Sequence, residues 1–136
     1  MTTMLLKNLI SDLSSDIAQT KIGGICFDTR NLKKGDLFVA IKGDKFDGNN
    51  YIRHAISKGA KVIIHSRPYK KNKKVKFLKF KDTRNILARI STRYYKKKPK
   101  NIIAVTGTNG KTSTSDFFNQ IFTLEKKHSG FIGTLG

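Results

Sequence analysis

A short segment near the end of the chain carries residue types that bind phosphate. Residues 106–112 read Thr-Gly-Thr-Asn-Gly-Lys-Thr, follow the apolar run Asn101–Val105 and precede a helix-like segment. A turn between a strand and a helix collects backbone N–H groups at the helix N-terminus, where the partial positive charge favours an anion. Lys111 adds a mobile cation, and the Thr112 hydroxyl is a ligand for Mg²⁺. The segment therefore predicts binding of a nucleoside triphosphate.

Strand-like and helix-like segments alternate around this loop, which is typical of an α/β fold. Short apolar runs predict strands, and apolar residues at helical spacing predict helices. The predicted strands are 22–28, 37–41, 62–65, 75–80, 101–105 and 130–133. The predicted helices are 51–57 with Asn49 or Asn50 as N-cap, a helix after Asp82 with Ile86, Leu87, Ile90 and Tyr94 on its apolar face, and 112–126.

The basic stretch Lys96–Lys100 is the predicted domain boundary, because Pro99 disfavours helix in the residue before it. We expect a small N-terminal α/β domain at residues 1–98 and the start of a phosphate-loop domain at residues 99–136. A phosphate-loop domain needs several parallel strands covered by helices. Only one helix and one strand are predicted after the loop, so we expect this second domain to be truncated.

The chain is strongly basic, with a formal net charge of +19. Such a charge can indicate a surface for nucleic acid or anionic membrane. Most of the basic residues are lysines, and AT-rich codons encode lysine, isoleucine, asparagine and phenylalanine, so codon bias also explains the charge. The runs 69–74 and 96–100 lack the interleaved aromatic residues of a base-stacking surface. We expect no nucleic-acid partner, and a basic nucleic-acid- or phosphate-binding module is the alternative.

The sequence shows no signal for a membrane or a secretory pathway. The longest apolar run, Leu37–Ile41, is too short to cross a bilayer. The first residues lack the basic and apolar regions of a signal peptide. The single cysteine, Cys26, excludes an internal disulfide and suits a reducing compartment. We therefore expect a cytoplasmic protein with no membrane insertion.

Two blocks of the sequence resemble the Mur ligases, the ATP-dependent enzymes that add amino acids in peptidoglycan synthesis. Residues 106–112 lack the first glycine of the common phosphate loop, because position 105 is valine. They are similar to the shorter Thr-Gly-Thr-Asn-Gly-Lys-Thr loop of these ligases. The second block consists of the segments 27–30, 34–40 and 43–48, which resemble the signature of the N-terminal uridine-nucleotide domain of the family. The resemblance covers essentially the whole chain.

The last residues distinguish types within the family. Ile132–Gly136 is similar to the Ile-Gly-Thr-x-Gly sequence of the MurE type, which adds the third amino acid to UDP-N-acetylmuramoyl-L-alanyl-D-glutamate. The pair Tyr94 and Tyr95 before Pro99 is also similar to that type. The MurF type, which adds D-alanyl-D-alanine, is the alternative. Folylpolyglutamate synthase, a relative, is disfavoured because it usually has glycine where this chain has Thr112.

The resemblance implies amide-bond formation through an acyl phosphate. ATP phosphorylates a substrate carboxylate, and an amine then displaces the phosphate to give an amide, ADP and phosphate. Lys111 is implied to be catalytic, because it neutralises charge that develops during the transfer, and Thr112 is implied to bind Mg²⁺. The implied ATP-binding residues are Gly107, Thr108, Asn109, Gly110, Lys111, Thr112 and Ser113. We expect this chain alone to be inactive in ligation.

The resemblance also implies a substrate site at the ends of predicted strands, where ligands bind open α/β sheets. The implied substrate-binding residues are Phe27, Thr29, Asp44, Lys45, Phe46 and Thr134. The implied partners are a UDP-N-acetylmuramoyl-peptide and an amino acid, and the full-length form is expected to be a monomer. A degenerate paralogue that never had further domains is a third possibility.

Other polar residues have structural explanations. Asp47 and Gly48 predict a turn that presents the neighbouring loop, and Cys26 predicts a small buried hydrophobe. Asp28 and Arg30 are equally consistent with a surface ion pair. The three histidines are scattered singly, so a metal or acid–base role is disfavoured.

Overall fold

Two compact units make up the chain, Met1–Lys97 and Lys98–Gly136. The computed structural model describes residues 3–70 and 74–133 of these units. Within these ranges, all strands belong to the first unit, and the second unit contains one long helix.

A short antiparallel pair and a four-stranded parallel sheet form the centre of the first unit. The antiparallel pair is β1 (Met4–Leu5) with β2 (Lys21–Ile22). The parallel sheet has the spatial order β3 (Ile25–Cys26), β4 (Leu37–Val39), β5 (Val62–His65) and β6 (Lys76–Lys79). Because all four strands run the same way, their carboxyl ends lie at one edge of the sheet.

Helices connect and cover these strands. The helices of the first unit are α1 (Ser15–Ala18), α2 (Ile52–Ser57) and α3 (Thr83–Tyr94). Two 3₁₀ turns accompany them, Leu6–Asn8 and Gly48–Tyr51. The mixed α/β fold class predicted from the sequence is confirmed, and no helix in the described part of the chain is long and apolar enough to cross a membrane.

The parallel sheet has a hydrophobic core on each face. One core contains alternate residues of the central strands together with α3 and the N-terminal turn: Leu6, Leu9, Ile10, Ile22, Leu37, Val39, Val62, Ile64, Ile86 and Ile90. The other contains the intervening strand residues and α2: Cys26, Leu32, Phe38, Ala40, Ile52, Ala55, Ala60, Ile63 and Val75. Burial on both faces explains why β5 reads as a continuous apolar run rather than as an alternation.

Helix α3 agrees with its prediction from the sequence. The Asp82 carboxylate accepts a hydrogen bond from the Asn85 backbone N–H at 2.9 Å, which satisfies a donor of the first turn. Ile86 and Ile90 are buried against the sheet. At the other end, the Tyr94 hydroxyl donates to the Gly23 carbonyl at 2.7 Å and attaches the helix to the strand layer.

The predicted strand 22–28 is wrong in its extent, because the chain breaks at Gly23 and Gly24 into β2 and β3. Before the break the backbone pairs antiparallel with β1, and after it the backbone pairs parallel with β4. A Cβ atom at Gly24 would lie 3.0 Å from Oδ1 of the buried Asp36, so a side chain would crowd that carboxylate. The two glycines therefore allow the chain to pass close to Asp36 as it leaves the antiparallel pair and enters the parallel sheet.

The N-cap predicted for the 51–57 helix is also wrong. The N-cap of α2 is Tyr51, which provides no side-chain cap. The Asp47 carboxylate caps the 3₁₀ turn ahead of α2 and accepts from the Asn49 backbone N–H at 2.9 Å. The acidic residue is a stronger acceptor for a first-turn N–H than an asparagine amide. After the end of α2, Gly59 has a positive φ of 89°, a backbone conformation that favours glycine.

The second unit contains α4 (Lys111–Leu124), close to the predicted helix 112–126. The strands predicted at 101–105 and 130–133 are wrong, since neither segment is a strand. A strand exists only with a hydrogen-bonded neighbour, and the described residues of this unit provide none. Ile102 is accordingly 83% exposed and Leu124 of α4 is 83% exposed.

Candidate functional site

Loops that follow β3, β4 and β5 meet at the carboxyl edge of the parallel sheet. They are the β3 turn (residues 27–30), the β4 loop (residues 42–48) and the β5 turn (residues 65–67). Since β3 pairs with β4 and β4 with β5, the three loops leave neighbouring strands. The carboxyl edge of an open parallel sheet is where ligands bind in α/β proteins.

The β3 turn presents one aromatic side chain to solvent and buries a threonine. Phe27 is 63% exposed, whereas Thr29 is only 6% exposed. Such an exposed aromatic ring beside buried polar backbone is suited to a flat ligand such as a nucleotide base. The structure therefore brings Phe27 and Thr29 together on one short turn.

The polar side chains of the β3 turn bind one another. The Asp28 carboxylate accepts from the Arg30 backbone N–H at 2.9 Å and from the Arg30 guanidinium, whose Nη2 lies 2.6 Å from Asp28 Oδ2. Hydrogen bonds from Arg30 lower the pKa of Asp28 to about 2. Asp28 is therefore a carboxylate across the physiological range.

Cys26 precedes this turn and is buried, as predicted. Its thiol donates to the Asp28 carbonyl, with Sγ 2.9 Å from that oxygen. Burial raises the pKa of the Cys26 thiol. The side chain therefore acts as a small neutral hydrophobe that also orders the start of the turn.

The β4 loop is a tight hairpin-like excursion that exposes its tip. The Gly43 N–H donates to the Phe46 carbonyl at 2.8 Å, and the Gly48 N–H donates to the Ile41 carbonyl at 2.7 Å. Asp44 and Lys45 are exposed, and Phe46 is 71% exposed at the tip. The three predicted residues of this loop thus lie together, on the loop that follows β4, and β4 pairs with the strand that precedes Phe27.

Asp47 fixes the base of the β4 loop. Besides the Asn49 N–H, its carboxylate accepts from Asn49 Nδ2 at 2.7 Å and pairs with Arg67 Nη2 at 2.8 Å. The Asn49 bond is the largest cause that lowers the pKa of Asp47. Because Asp47 is largely buried, removal of a partner would leave a charge with fewer donors. This agrees with the structural role predicted for Asp47.

The β5 turn supplies residues that the sequence analysis missed. The Asn49 amide donates to the Ser66 hydroxyl and accepts from the Ser66 backbone N–H, each at 3.3 Å. Arg67 forms the ion pair with Asp47. The buried His65 is held through Nδ1, 2.6 Å from the Arg67 carbonyl, and its ring packs edge-on against Phe77. The signal that could have found them is position, since all three lie at or just after the end of the run 62–65, which is predicted as a strand.

The phosphate loop in the second unit has an open helix N-terminus. Gly110 is the N-cap of α4, has a φ of 75° and provides no side-chain cap. Gly107 has a φ of 143°, which side chains rarely adopt. The Lys111 ammonium contacts the Gly107 carbonyl and donates to the Thr108 carbonyl at 3.1 Å, so it lies over its own loop. Loop, lysine and helix start are therefore adjacent, as the spacing predicts.

The remaining predictions for the site concern Thr134 and the metal ion. Thr134 lies outside the described residues. Over residues 3–70 and 74–133, no group of three or more histidine, cysteine or acidic side chains could hold a metal ion. Thr112, the metal ligand predicted from the sequence, lies in the first turn of α4.

A family model described as "Mur ligase family, catalytic domain" matches residues 21–95, which contain the three loops of the carboxyl edge. The chain belongs to the Mur ligase family. A UDP-N-acetylmuramoyl-L-alanyl-D-glutamate–2,6-diaminopimelate ligase of Rhizobium meliloti is 40% identical over 132 residues, or 94% of this chain and 26% of that enzyme. A ligase of the same name from Clostridioides difficile is 42% identical over 84% of this chain and 24% of its own length.

Solved structures of Mur ligases have the same fold. A UDP-N-acetylmuramoyl-L-alanyl-D-glutamate–2,6-diaminopimelate ligase matches with a TM-score of 0.72 and 23% identity over 99% of this chain and 28% of its own. The MurF ligase from Thermotoga maritima in complex with ADP matches with a TM-score of 0.61 and 26% identity, over 74% of this chain and 23% of its own. The chain thus spans about a quarter of the length of the curated relatives it matches.

Proposed function

We propose that this chain carries the uridine-nucleotide site and the ATP loop of a ligase that joins 2,6-diaminopimelate to UDP-N-acetylmuramoyl-L-alanyl-D-glutamate. The observation that carries the proposal is the pair of exposed aromatic loops at the carboxyl edge, in a chain 40% identical to a ligase named for this reaction. The reaction belongs to peptidoglycan synthesis. The names of the relatives favour the diaminopimelate-adding type over the MurF type.

In this proposal residues 1–98 bind the uridine nucleotide of the substrate. Phe27 and Phe46 offer aromatic surface for the uracil ring, and the backbone of the β3 turn offers polar groups to its edge. Asp44 and Lys45 lie at the tip of the β4 loop, where they can contact the ribose or the diphosphate. Thr134, in the second unit, is proposed to contact the substrate as well.

Residues 99–136 contribute the loop that binds ATP, with Gly107, Thr108, Asn109, Gly110, Lys111, Thr112 and Ser113 as its residues. Support comes from the open N-terminus of α4 and from the ADP complex of the Thermotoga maritima relative. Lys111 provides a positive charge at the mouth of the loop, where it stabilises charge that moves between the β- and γ-phosphates. The γ-phosphate passes to the substrate carboxylate, and the amine of the amino acid then displaces it as phosphate.

Mg²⁺ fits the donor set of the loop only in part. The Thr112 hydroxyl at the first turn of α4 would hold the ion beside the phosphates, and the ion would neutralise their charge when bound. We propose that ligation needs residues beyond this chain, and that the complete enzyme acts as a cytoplasmic monomer.

A binding experiment tests the proposal against the basic-module alternative. Calorimetric titration of the 136-residue chain with UDP-N-acetylmuramoyl-L-alanyl-D-glutamate should give saturable binding that UDP competes with. Single-stranded nucleic acid should compete weakly, and only at low salt. No heat with the uridine nucleotide, together with nucleic-acid binding that falls steeply with salt, would show that the basic surface is the functional one.

A further inference from the structure

Lys58 binds the backbone of the β3 turn from a distant element. Its Nζ donates to the Thr29 carbonyl at 2.8 Å and to the Arg30 carbonyl at 3.3 Å. Lys58 is the C-cap residue of α2 and lies 29 positions after Thr29 in the sequence. Lysine at a helix C-terminus commonly interacts with the last carbonyls of its own helix. Here the ammonium group instead joins α2 to a loop of the carboxyl edge.

The other hydrogen bonds of the β3 turn are local. Asp28 accepts from the Arg30 N–H at 2.9 Å, its carbonyl accepts from the Asn31 N–H at 3.1 Å, and the Cys26 thiol reaches the same carbonyl. These bonds shape the turn, and over residues 3–70 and 74–133 they attach it to no element beyond β3. The Lys58 contacts are charge-assisted and attach the β3 turn to α2, whose Ile52 is buried in the core.

The charge of Lys58 also suits the turn. Two carbonyl oxygens face the ammonium group, and the carboxylate of Asp28 is close enough that the charge of Lys58 contributes, after that of Arg30, to the low pKa of Asp28. An apolar side chain of similar length would fill the same space without binding these oxygens. The contact therefore depends on the charged group and not on packing alone.

We propose that Lys58 is a positioning residue for the uridine-nucleotide substrate. By holding the carbonyls of Thr29 and Arg30, it orders the β3 turn before the substrate arrives, so that Phe27 and Thr29 are already placed to contact the nucleotide. The inference rests on the proposed function of the carboxyl edge. It adds a residue that touches no substrate but sets the affinity of the loop that does.

The physical reason is preorganisation. A loop that is mobile in the free protein loses conformational freedom when it closes on a ligand, and that loss reduces the affinity. Because Lys58 is exposed, solvent screens its bonds and the effect is moderate. We expect loss of the ammonium group to weaken substrate binding by roughly 3- to 10-fold.

The test compares Lys58→Met with a matched control in the 136-residue chain. Lys61→Met removes the same charge from an exposed lysine three residues further on, just before β5. Calorimetry with UDP-N-acetylmuramoyl-L-alanyl-D-glutamate should show weaker binding for Lys58→Met, unchanged binding for Lys61→Met and partial recovery for Lys58→Arg. Urea midpoints report stability separately, so a loss of affinity with an unchanged midpoint separates positioning from a general structural role.

Amide hydrogen exchange of the ligand-free variants provides a second readout. The N–H groups of Arg30 and Asn31 should exchange faster in Lys58→Met, while those of β5 keep their protection. Where Lys58→Met does not fold, Lys58→Leu takes its place, because leucine also lacks a donor for the two carbonyls.

Two results overturn the inference in distinguishable ways. Equal affinity of wild type, Lys58→Met and Lys61→Met, with unchanged exchange at Arg30 and Asn31, removes Lys58 as a positioning residue and leaves the substrate site intact. Absence of binding by the wild-type chain removes the proposed function, and this inference with it.

Discussion

At the scale of single residues, the candidate site is defined by how each loop binds its own polar groups. Asp28 and Arg30 form a two-point ion pair within four residues of chain, and Asp47 collects an N–H, an amide and a guanidinium. Phe27 and Phe46, which directly precede Asp28 and Asp47 in the chain, are largely exposed. The polar residues therefore set the backbone, and the aromatic residues are left for a ligand.

The ion pair of the β3 turn makes a prediction about pH. Arg30→Gln removes the guanidinium that is the main cause of the low pKa of Asp28, so the pKa should rise from about 2 towards its ordinary value of 3.8. In the folded wild-type chain, Arg30 binds the ionised form of the Asp28 carboxyl group. Its contribution to stability is therefore complete above pH 3.8 and is lost as the pH falls towards 2.

Carboxyl carbon NMR shifts followed through an acid titration measure this change. Asp47 is the internal control, because Asn49 and not Arg30 is the main cause of its low pKa. An Asp28 carboxyl that titrates identically in wild type and Arg30→Gln would show that the guanidinium does not hold it.

At the scale of elements, the sequence patterns predicted strands and helices best where the segment itself contains the apolar pattern and the capping residue. The buried run 62–65 is a strand with the predicted bounds, and α3 follows Asp82 as expected. The substrate residues on the β3 turn and the β4 loop were predicted from the family resemblance and not from these strand patterns. Predictions failed where a second segment decides the outcome. Pairing with different partners splits 22–28, and the absence of a paired neighbour among the described residues leaves 101–105 without a strand.

The sequence analysis missed some residues of the site for the same reason, because a second segment decides what they contact. Lys58, Ser66 and Arg67 matter through contacts with loops that are distant along the chain, such as the 29-residue separation between Lys58 and Thr29. Neither periodicity nor local turn chemistry shows which carbonyl or carboxylate such a side chain will meet. Only the register of the parallel strands brings these groups together.

The β4 loop makes a prediction at this scale. A Cβ atom at Gly48 would lie 2.6 Å from the Ile41 backbone N and 2.8 Å from its carbonyl O, and neither backbone atom can move without breaking the Gly48–Ile41 hydrogen bond. Gly48→Ala should therefore lower the free energy of unfolding by about 1–3 kcal/mol. Urea denaturation measures the loss.

Gly130→Ala is the matched control, because an added Cβ there meets no atom within 4 Å. A Gly48→Ala variant as stable as Gly130→Ala would mean that the β4 loop accommodates a side chain, contrary to the close approach of its backbone.

At the scale of the whole molecule, the two units differ in how they are stabilised. Both hydrophobic cores of the parallel sheet consist of residues between Leu6 and Ile90. Helix α4 has no buried residue, and Phe117 is 61% exposed and Ile121 is 54% exposed. The first unit thus contains the packing that supports a stable fold by itself.

This difference predicts the behaviour of a shortened chain. A polypeptide of residues 1–98 should unfold cooperatively in urea with the same midpoint as the 136-residue chain, because it retains every buried core residue that the structure describes. Circular dichroism at the far-ultraviolet wavelengths follows the transition. A shortened chain that is unfolded in buffer would show that residues 99–136 contribute to the stability of the first unit.

The central claim is that the carboxyl edge of the parallel sheet, and not the basic surface, binds a uridine nucleotide. Amide chemical-shift mapping tests it most directly, with the ¹⁵N-labelled 136-residue chain titrated with UDP-N-acetylmuramoyl-L-alanyl-D-glutamate. The account predicts that the largest shifts cluster at residues 27–30 and 42–48, with small shifts at Lys61 and Lys76 on the opposite edge. Largest shifts at those lysines, or none at the two loops at saturating ligand, would contradict it.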